Sequence, residues 1–389
     1  MSKIVVKKVN KFKGVDENPS LLGFGCMRFP KLDPDKPDID EVLSEKMIDT
    51  AYKAGVNYFD TAYPYHQRLS EKFVGKVLKK YPRESFNLAT KMPGWMVETV
   101  EDAERIFNEQ LETLQVDYFD YYLCHALNKS GFEVYKKPGV MDFLYRMKAE
   151  GKIRHLGFSF HDTPDVLDEI INTYEWDFVQ LQLNYLDWDF QDAKKQYEIV
   201  QNYGVPVIVM EPVRGGTLAT LSGDARDILL SAKPHKSIAS WAIRYAASKE
   251  HVMVVLSGMS NMEQTLDNIA TLTDFEPIDD KDQIVIEQAL DLFLKSNTIP
   301  CTNCKYCMPC PEGVDIPLMF RIYNQYAISK FERAFIFDYE KVEESKRAEF
   351  CVACGICLSK CPQAINIPEL MEEIRNLYKE LNQKHNDKS

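Results

Sequence analysis

Long apolar runs are missing from this 389-residue chain. None approaches the roughly 20 residues that a membrane-spanning helix needs. The opening stretch, MSKIVVKKVNKFKG, has lysines but no apolar core segment, which speaks against a secretory signal and for a cytoplasmic protein. Basic residues are outnumbered, with 47 Lys and Arg against 59 Asp and Glu, giving a formal net charge of −12. Such a chain repels phosphate backbones and anionic lipid, so nucleic acid and membrane surfaces are poor partners. Glycine and proline number only 17 and 19 while aromatics reach 12%, which excludes a collagen-like or disordered chain. Cysteine is nearly absent from the first 300 residues, where only Cys26 and Cys124 occur; the other eight lie from Cys301 to Cys361. In a reducing compartment such crowding points to metal binding or catalysis rather than disulfides. The uneven placement divides the chain into a larger domain at 1–294 and a smaller one at 295–389.

What is present in the larger part is alternation. Short β-branched or aromatic runs occur at 21–26, 57–62, 86–92, 118–126, 155–160, 178–184, 205–212 and 252–258. Helical patterns separate them, among them DEVLSEKMIDTAYKAG, VEDAERIFNEQLETL, MDFLYRMKAEG and DAKKQYEIVQNYG. Glycines close several of these, as left-handed helix ends require. Eight βα units in about 250 residues predict a (β/α)8 TIM barrel. An open doubly wound sheet fits less well, because GFGCMRF after the first strand is not a G-x-G-x-x-G phosphate turn.

A barrel carries its chemistry at the C-terminal ends of its strands. Asp60 and Tyr65 follow the second strand, Lys91 ends the third and His125 ends the fourth. This set suits carbonyl reduction: a tyrosine near pKa 10 is a poor acid at pH 7, and a neighbouring ammonium lowers that value. Lys91 supplies the ammonium, Asp60 holds Lys91, and His125 either orients or protonates the substrate oxygen.

The segments FDTAYPYH, ATKMP, LCHA, HLGFSF and SGMSNMEQTLDN together resemble the aldo-keto reductase superfamily, over roughly residues 4 to 290. The resemblance implies hydride transfer between a nicotinamide and a carbonyl/alcohol pair without a metal. It makes Asp60, Tyr65, Lys91 and His125 the catalytic tetrad, with Tyr65 as general acid. It puts Ser159 and Gln182 at the nicotinamide carboxamide and the stretch 211–219 over the pyrophosphate. The cofactor track it implies runs through Gly25, Cys26, Met27, Met210, Glu211, Pro212, Val213, Gly215, Gly216, Leu218, Gly258, Ser260, Gln264, Asp267 and Asn268. The chain departs from the family pattern at three points. Met210 replaces an aromatic stacking ring, and Phe160 replaces an Asn beside Ser159. Gly258 and Gln264 stand where NADP-specific members carry Lys and Arg, so the cationic fork for a 2′-phosphate is missing. NADH therefore suits the site at least as well as NADPH, and a flavin becomes credible. Near the mouth, Arg28 and Arg214 are either anion anchors or members of ion pairs. Trp95, His66 and His161 shape the substrate pocket or pack loops, Cys124 faces away from His125, and Cys26 reads mainly as packing.

The smaller part reads CTNCKYCMPCPEGVDIP from 301 and CVACGICLSKCPQAINIP from 351. The second run is C-x2-C-x2-C-x3-C-P, the spacing that binds [4Fe–4S] in bacterial ferredoxins. The first has one residue fewer before its fourth cysteine. Both continue C-P-x-x-apolar-x-I-P, an internal repeat that favours iron–sulfur over zinc. In two-cluster ferredoxins the fourth cysteine of each run serves the other cluster. Cys301, Cys304, Cys307 and Cys361 then hold one [4Fe–4S] cluster, and Cys351, Cys354, Cys357 and Cys310 the second. PLMFRIYNQYAISKFERAF and DYEKVEESKRAEF between the runs read as helices, giving a small α-helical ferredoxin-like domain.

Two functions follow. The first is an aldo-keto reductase-type oxidoreductase acting on a small carbonyl, whose clusters either exchange electrons with the barrel site or take no part in turnover. The alternative is an electron-transfer protein, its barrel binding a flavin or other redox group and its clusters relaying electrons to a ferredoxin or flavoprotein. Loops 29–40, 95–99 and 128–139 set the substrate, and their composition selects none.

Overall fold

The computed structural model describes residues 19–33, 36–221, 223–273, 275–294, 298–329 and 331–386; the N-terminal stretch read above lies outside them. Eight strands form in chain order: β1 (Leu22–Gly25), β2 (Tyr58–Asp60), β3 (Asn87–Met92), β4 (Phe119–Leu127), β5 (Ile153–Phe160), β6 (Phe178–Gln182), β7 (Val207–Met210) and β8 (Val252–Ser257). Each pairs in parallel with its sequence neighbours, and β1 pairs with β8, so the sheet closes as a barrel. Every expected strand is present, because strands buried on both faces are written as nearly continuous apolar runs.

Side chains on a strand alternate between the two faces. Tyr58, Ala89, Tyr121, Leu123, Phe178, Ile208, Met253, Val254 and Leu256 form one buried cluster. Burying each of the large ones stabilises the fold by about 1.5–3 kcal/mol. Two positions further along, toward the C-terminal ends, the same faces of β2, β3 and β4 carry Asp60, Lys91 and His125. The period that fills the core thus also delivers the polar set to the mouth.

The helices are α1 (Glu41–Ala54), α2 (Leu69–Leu78), α3 (Val100–Leu114), α4 (Lys129–Phe132), α5 (Val140–Ala149), α6 (Pro164–Thr173), α7 (Asp187–Phe190), α8 (Ala193–Tyr203), α9 (Gly223–Ala232), α10 (Ile238–Ser248), α11 (Met262–Thr273), α12 (Asp280–Leu294), α13 (Ile316–Ser329), α14 (Glu332–Glu340) and α15 (Ile367–Asn386). Local chemistry fixes their ends. Asp40 caps α1 by accepting from the Leu43 N–H at 3.0 Å, and Thr99 with Asp102 forms a capping box on α3. Gly55 and Gly204 close α1 and α8 in the left-handed region, as their positions in the sequence predict.

The chain forms two compact units. One contains the described residues up to Val213 together with Ala239–Asp279, and holds the whole barrel sheet. The other contains Arg214–Ile238 and the described residues from Asp280 onward. Its core gathers Ile299, Val314, Ile316, Met319, Phe320, Phe335, Tyr339, Ile367, Met371 and Ile374, among others, with six of the eight clustered cysteines packed against it. One expected helix is shorter than its sequence suggests. In DYEKVEESKRAEF the helix stops at Glu340, and only single turns at Glu344–Lys346 and Ala348–Phe350 follow. Arg347 donates to the carbonyls of Val342 (2.8 Å) and Glu340 (2.7 Å), which satisfies the helix end. Among the described residues no helix is long and apolar enough to cross a membrane.

Candidate active site and cysteine module

Lys91 is fully buried, and its ammonium donates to Asp60 Oδ1 at 2.6 Å and to the Thr61 carbonyl at 2.7 Å. Its Nζ also lies 5.1 Å from the centre of the Tyr65 ring. Tyr65 begins the turn after β2 and meets the His125 imidazole edge-to-face, with ring centres 6.0 Å apart. The structure therefore brings all four tetrad residues together. Trp95, exposed on the next loop, approaches His125 at 5.1 Å and lines the same mouth.

The electrostatics differ from the sequence expectation in one respect. Burial, with the Asp60 and Glu211 carboxylates, pushes the Tyr65 phenol well above its ordinary value, while Arg28 acts the other way. The Lys91 ammonium is itself paired with Asp60 at 2.6 Å. Burial likewise raises Asp60 above the usual carboxylate range despite Lys91. His125 is held well below the usual imidazole value, first by burial, then by Lys91 and His161. Its Nδ1 is buried with no hydrogen-bond partner among the described residues.

The cofactor track is mixed. Ser159 is buried at the end of β5, and its Oγ accepts from the Ala126 N–H at 2.7 Å. Gln182 is engaged elsewhere: its amide donates to the buried Asp187 at 2.7 Å. Gln180, two residues earlier, was not singled out in the sequence. It sits in register with Ser159, its Nε2 reaches the Met210 sulfur at 3.5 Å, and its Oε1 is buried with no partner among the described residues. A nicotinamide carboxamide needs one acceptor and one donor; the Gln180 oxygen and the Ser159 hydroxyl offer that pair, so these residues fit the group. Gln180 and Gln182 both share the inward parity of Phe178, so strand alternation alone does not separate them.

Elsewhere on the track, Gly25 and Gly258 face each other where β1 meets the end of β8. Cys26 follows, fully buried beside Met27, and burial and Asp60 raise its thiol. Glu211 accepts from Arg28 at 3.4 Å, so Arg28 is an ion-pair member. Pro212 and Val213 continue that loop, whereas Gly215, Gly216 and Leu218 belong to the second unit. Ser260 donates to the Arg28 carbonyl, Gln264 accepts from the Ser260 N–H, and Asn268 donates to Ser257. Asp267 lies on the same helix, α11. Cys124 is fully buried, as expected of a packing residue.

In the second unit the cysteines surround two cavities. One is lined by Cys301, Cys304, Cys307 and Cys361. The other is lined by Cys310, Cys351, Cys354 and Cys357, with Cys307 also among its lining residues. The same division appears in the thiols. Burial pushes Cys301 up to about 11 and Cys307 up to about 12, and both feel Cys361; Cys357 feels Cys351, Cys354 and Cys310. Among the described residues no three His, Cys, Asp or Glu side chains converge as ligands of a single ion. Four sulfurs around a volume instead fit a cluster, and each cavity takes its fourth cysteine from the other run.

These features define a barrel oxidoreductase joined to an iron–sulfur module. Residues 21–291 match the Aldo/keto reductase family and residues 300–366 match the 4Fe-4S dicluster domain. The chain belongs to the aldo/keto reductase family and carries a 4Fe-4S dicluster domain at its C-terminal side. It is 27% identical over 279 residues to L-galactose dehydrogenase of Arabidopsis thaliana, covering 67% of this chain and 86% of that protein. It is also 27% identical over 278 residues to the NADH-specific methylglyoxal reductase of Escherichia coli (strain K12), covering 60% of this chain and 84% of that protein. Among solved structures it resembles aldo-keto reductase AKR11C1 from Bacillus halodurans (holo form), with TM-score 0.60 and 25% identity. That match covers 73% of this chain and 96% of the other.

Proposed function

We propose that residues 1–294 interconvert a small carbonyl compound and its alcohol with a nicotinamide, and that residues 295–389 hold two [4Fe–4S] clusters. The observation that carries this reading is the meeting of Asp60, Tyr65, Lys91 and His125 at the C-terminal mouth of a barrel of this family. A nicotinamide bound at that mouth supplies the hydride to the carbonyl carbon. Tyr65 is the proton donor. Its raised pKa keeps it protonated at neutral pH, and its proton leaves only toward a strong base, which a developing alkoxide is. The Asp60–Lys91 pair fixes the ammonium beside the Tyr65 ring, and His125, neutral at pH 7, orients the carbonyl oxygen. Ser159 and Gln180 hold the carboxamide. NADH is the preferred form, supported by the uncharged Gly258 and Gln264 and by the NADH specificity in the name of one relative.

The test is Tyr65→Phe, which preserves the ring contacts. Its kcat for carbonyl reduction should fall about 10²–10⁴-fold, with nucleotide affinity, followed by fluorescence titration, nearly unchanged. An unaltered kcat removes the tetrad from the mechanism.

A second reading is favoured by the exposure of Cys354 and of its neighbours Val352 and Ile356, which gives an outside carrier access to the second cavity. Clusters pass single electrons while hydride moves a pair, so a flavin in the barrel and a ferredoxin or flavoprotein partner accompany this reading. Flavin content and a partner-dependent rate separate the two.

A further inference from the structure

The two cysteine runs are repeats of one another, so equivalent positions can be compared pair by pair. After the fourth cysteine of the first run stands Cys310-Pro311-Glu312; after that of the second stands Cys361-Pro362-Gln363. Glu312 lines the cavity of Cys351, Cys354 and Cys357, and Gln363 lines that of Cys301, Cys304 and Cys307. After the second cysteine the residues are Lys305 and Gly355, which again line opposite cavities. The quasi-symmetric sites thus differ in charge: a lysine and a neutral amide at one, a glycine and a carboxylate at the other.

A third difference lies outside the repeat. Arg214, the first residue of the second compact unit, is completely buried, and its guanidinium donates to Gln363 Oε1 at 3.3 Å. Gln363 lines the cavity of Cys301, Cys304, Cys307 and Cys361, so the buried charge stands one side chain away from that cavity. The backbone is built to keep it there. Gly215 has φ +63°, and a methyl group on it would collide with the carbonyl of Thr302, a residue between the first two cysteines that also lines the cavity. No other residue type allows the loop so close.

We propose that Arg214 is a positioning and electrostatic residue for the iron–sulfur centre of Cys301, Cys304, Cys307 and Cys361, and that it raises that centre's reduction potential. Adding one electron makes a thiolate-ligated centre more negative. Burial disfavours the added charge and lowers the potential, whereas a fixed cation in the same low-dielectric surroundings favours it. Thr302 is buried where its counterpart Val352 is 62% exposed, so the first centre is the more enclosed and the more dependent on a nearby cation.

The proposal rests on two clusters being bound, and the experiment keeps the two ideas apart. Iron and spin counts on the anaerobically purified wild-type protein come first. Fewer than two centres removes that reading and the proposal with it. With two centres present, a dithionite titration followed by EPR reads two midpoints. Arg214→Gln should shift one midpoint to more negative potential by at least tenfold in the reduced-to-oxidised ratio, about 59 mV for one electron. The other midpoint should stay, and Arg214→Lys should restore most of the shift. Gln363→Glu leaves Arg214 in place and sets a carboxylate against it, so it should move the same midpoint the same way even where Arg214→Gln fails to fold. Unchanged midpoints in the variants that retain both centres overturn the role of Arg214 while leaving the two clusters standing.

Discussion

His125 and His161 stay neutral where a free imidazole would titrate. Burial pushes His161 down to about 4, and burial with Lys91 and His161 pushes His125 well below its ordinary value. Below about pH 6.5 the unfolded chain protonates both, whereas the folded protein does not. The unfolded state then binds more protons, so this part of the stability is present above pH 6.5 and is lost as pH falls. Each such histidine contributes a slope of up to about 1.4 kcal/mol per pH unit. Urea unfolding of the wild type should therefore lose about 2 kcal/mol more between pH 7 and pH 5 than His161→Gln does. Equal losses would mean that His161 takes up its proton in the folded protein.

At the scale of elements, the turn after β7 makes a sharper claim than any strand. Gly215 and Gly216 both have positive φ, +63° and +101°, but only Gly215 faces a backbone atom; a methyl at Gly216 meets nothing within 4 Å. Gly216→Ala should cost only the conformational term, about 1–2 kcal/mol. Gly215→Ala should cost more and release iron from one centre first, because the Cys301 run must move to admit the methyl. Thermal melts and iron content of the two variants check this, and equal behaviour would dissociate the loop from the cysteines. That proximity was invisible in the sequence, where 211–219 reads only as a pyrophosphate cover and Thr302 lies far along the chain. The eight strands were legible, since each is a short apolar run ending in a turn. The tetrad was legible too, because period-two alternation puts Asp60, Lys91 and His125 one layer above the core. Gln180 and Gln182 share that parity, so the sequence alone could not tell which amide Asp187 captures. The overlong helix at 338–350 failed for a related reason: its residues favour helix, and it is the Arg347 side chain folding back on Glu340 and Val342 that ends it.

Across the whole molecule, the function proposed above has the module close by exchanging ligands between two runs separated by α13 and α14. A [4Fe–4S] cluster with full thiolate ligation takes four cysteines. The cavities set Cys361 beside the first run and Cys310 beside the second, so on that proposal each centre is also a long-range crosslink. A cluster that joins distant segments contributes its binding energy to folding. Substitution should then sort the cysteines by cavity and not by position in sequence. Cys361→Ser should remove the same EPR signal as Cys304→Ser, although Cys361 lies only seven residues beyond Cys354. Cys310→Ser should remove the same signal as Cys354→Ser. Each variant should retain about half the iron, read by colorimetric assay on anaerobically purified protein. If Cys361→Ser instead extinguishes the signal that Cys354→Ser extinguishes, each run ligates its own cluster, and the two halves of the module are held together by their apolar core alone.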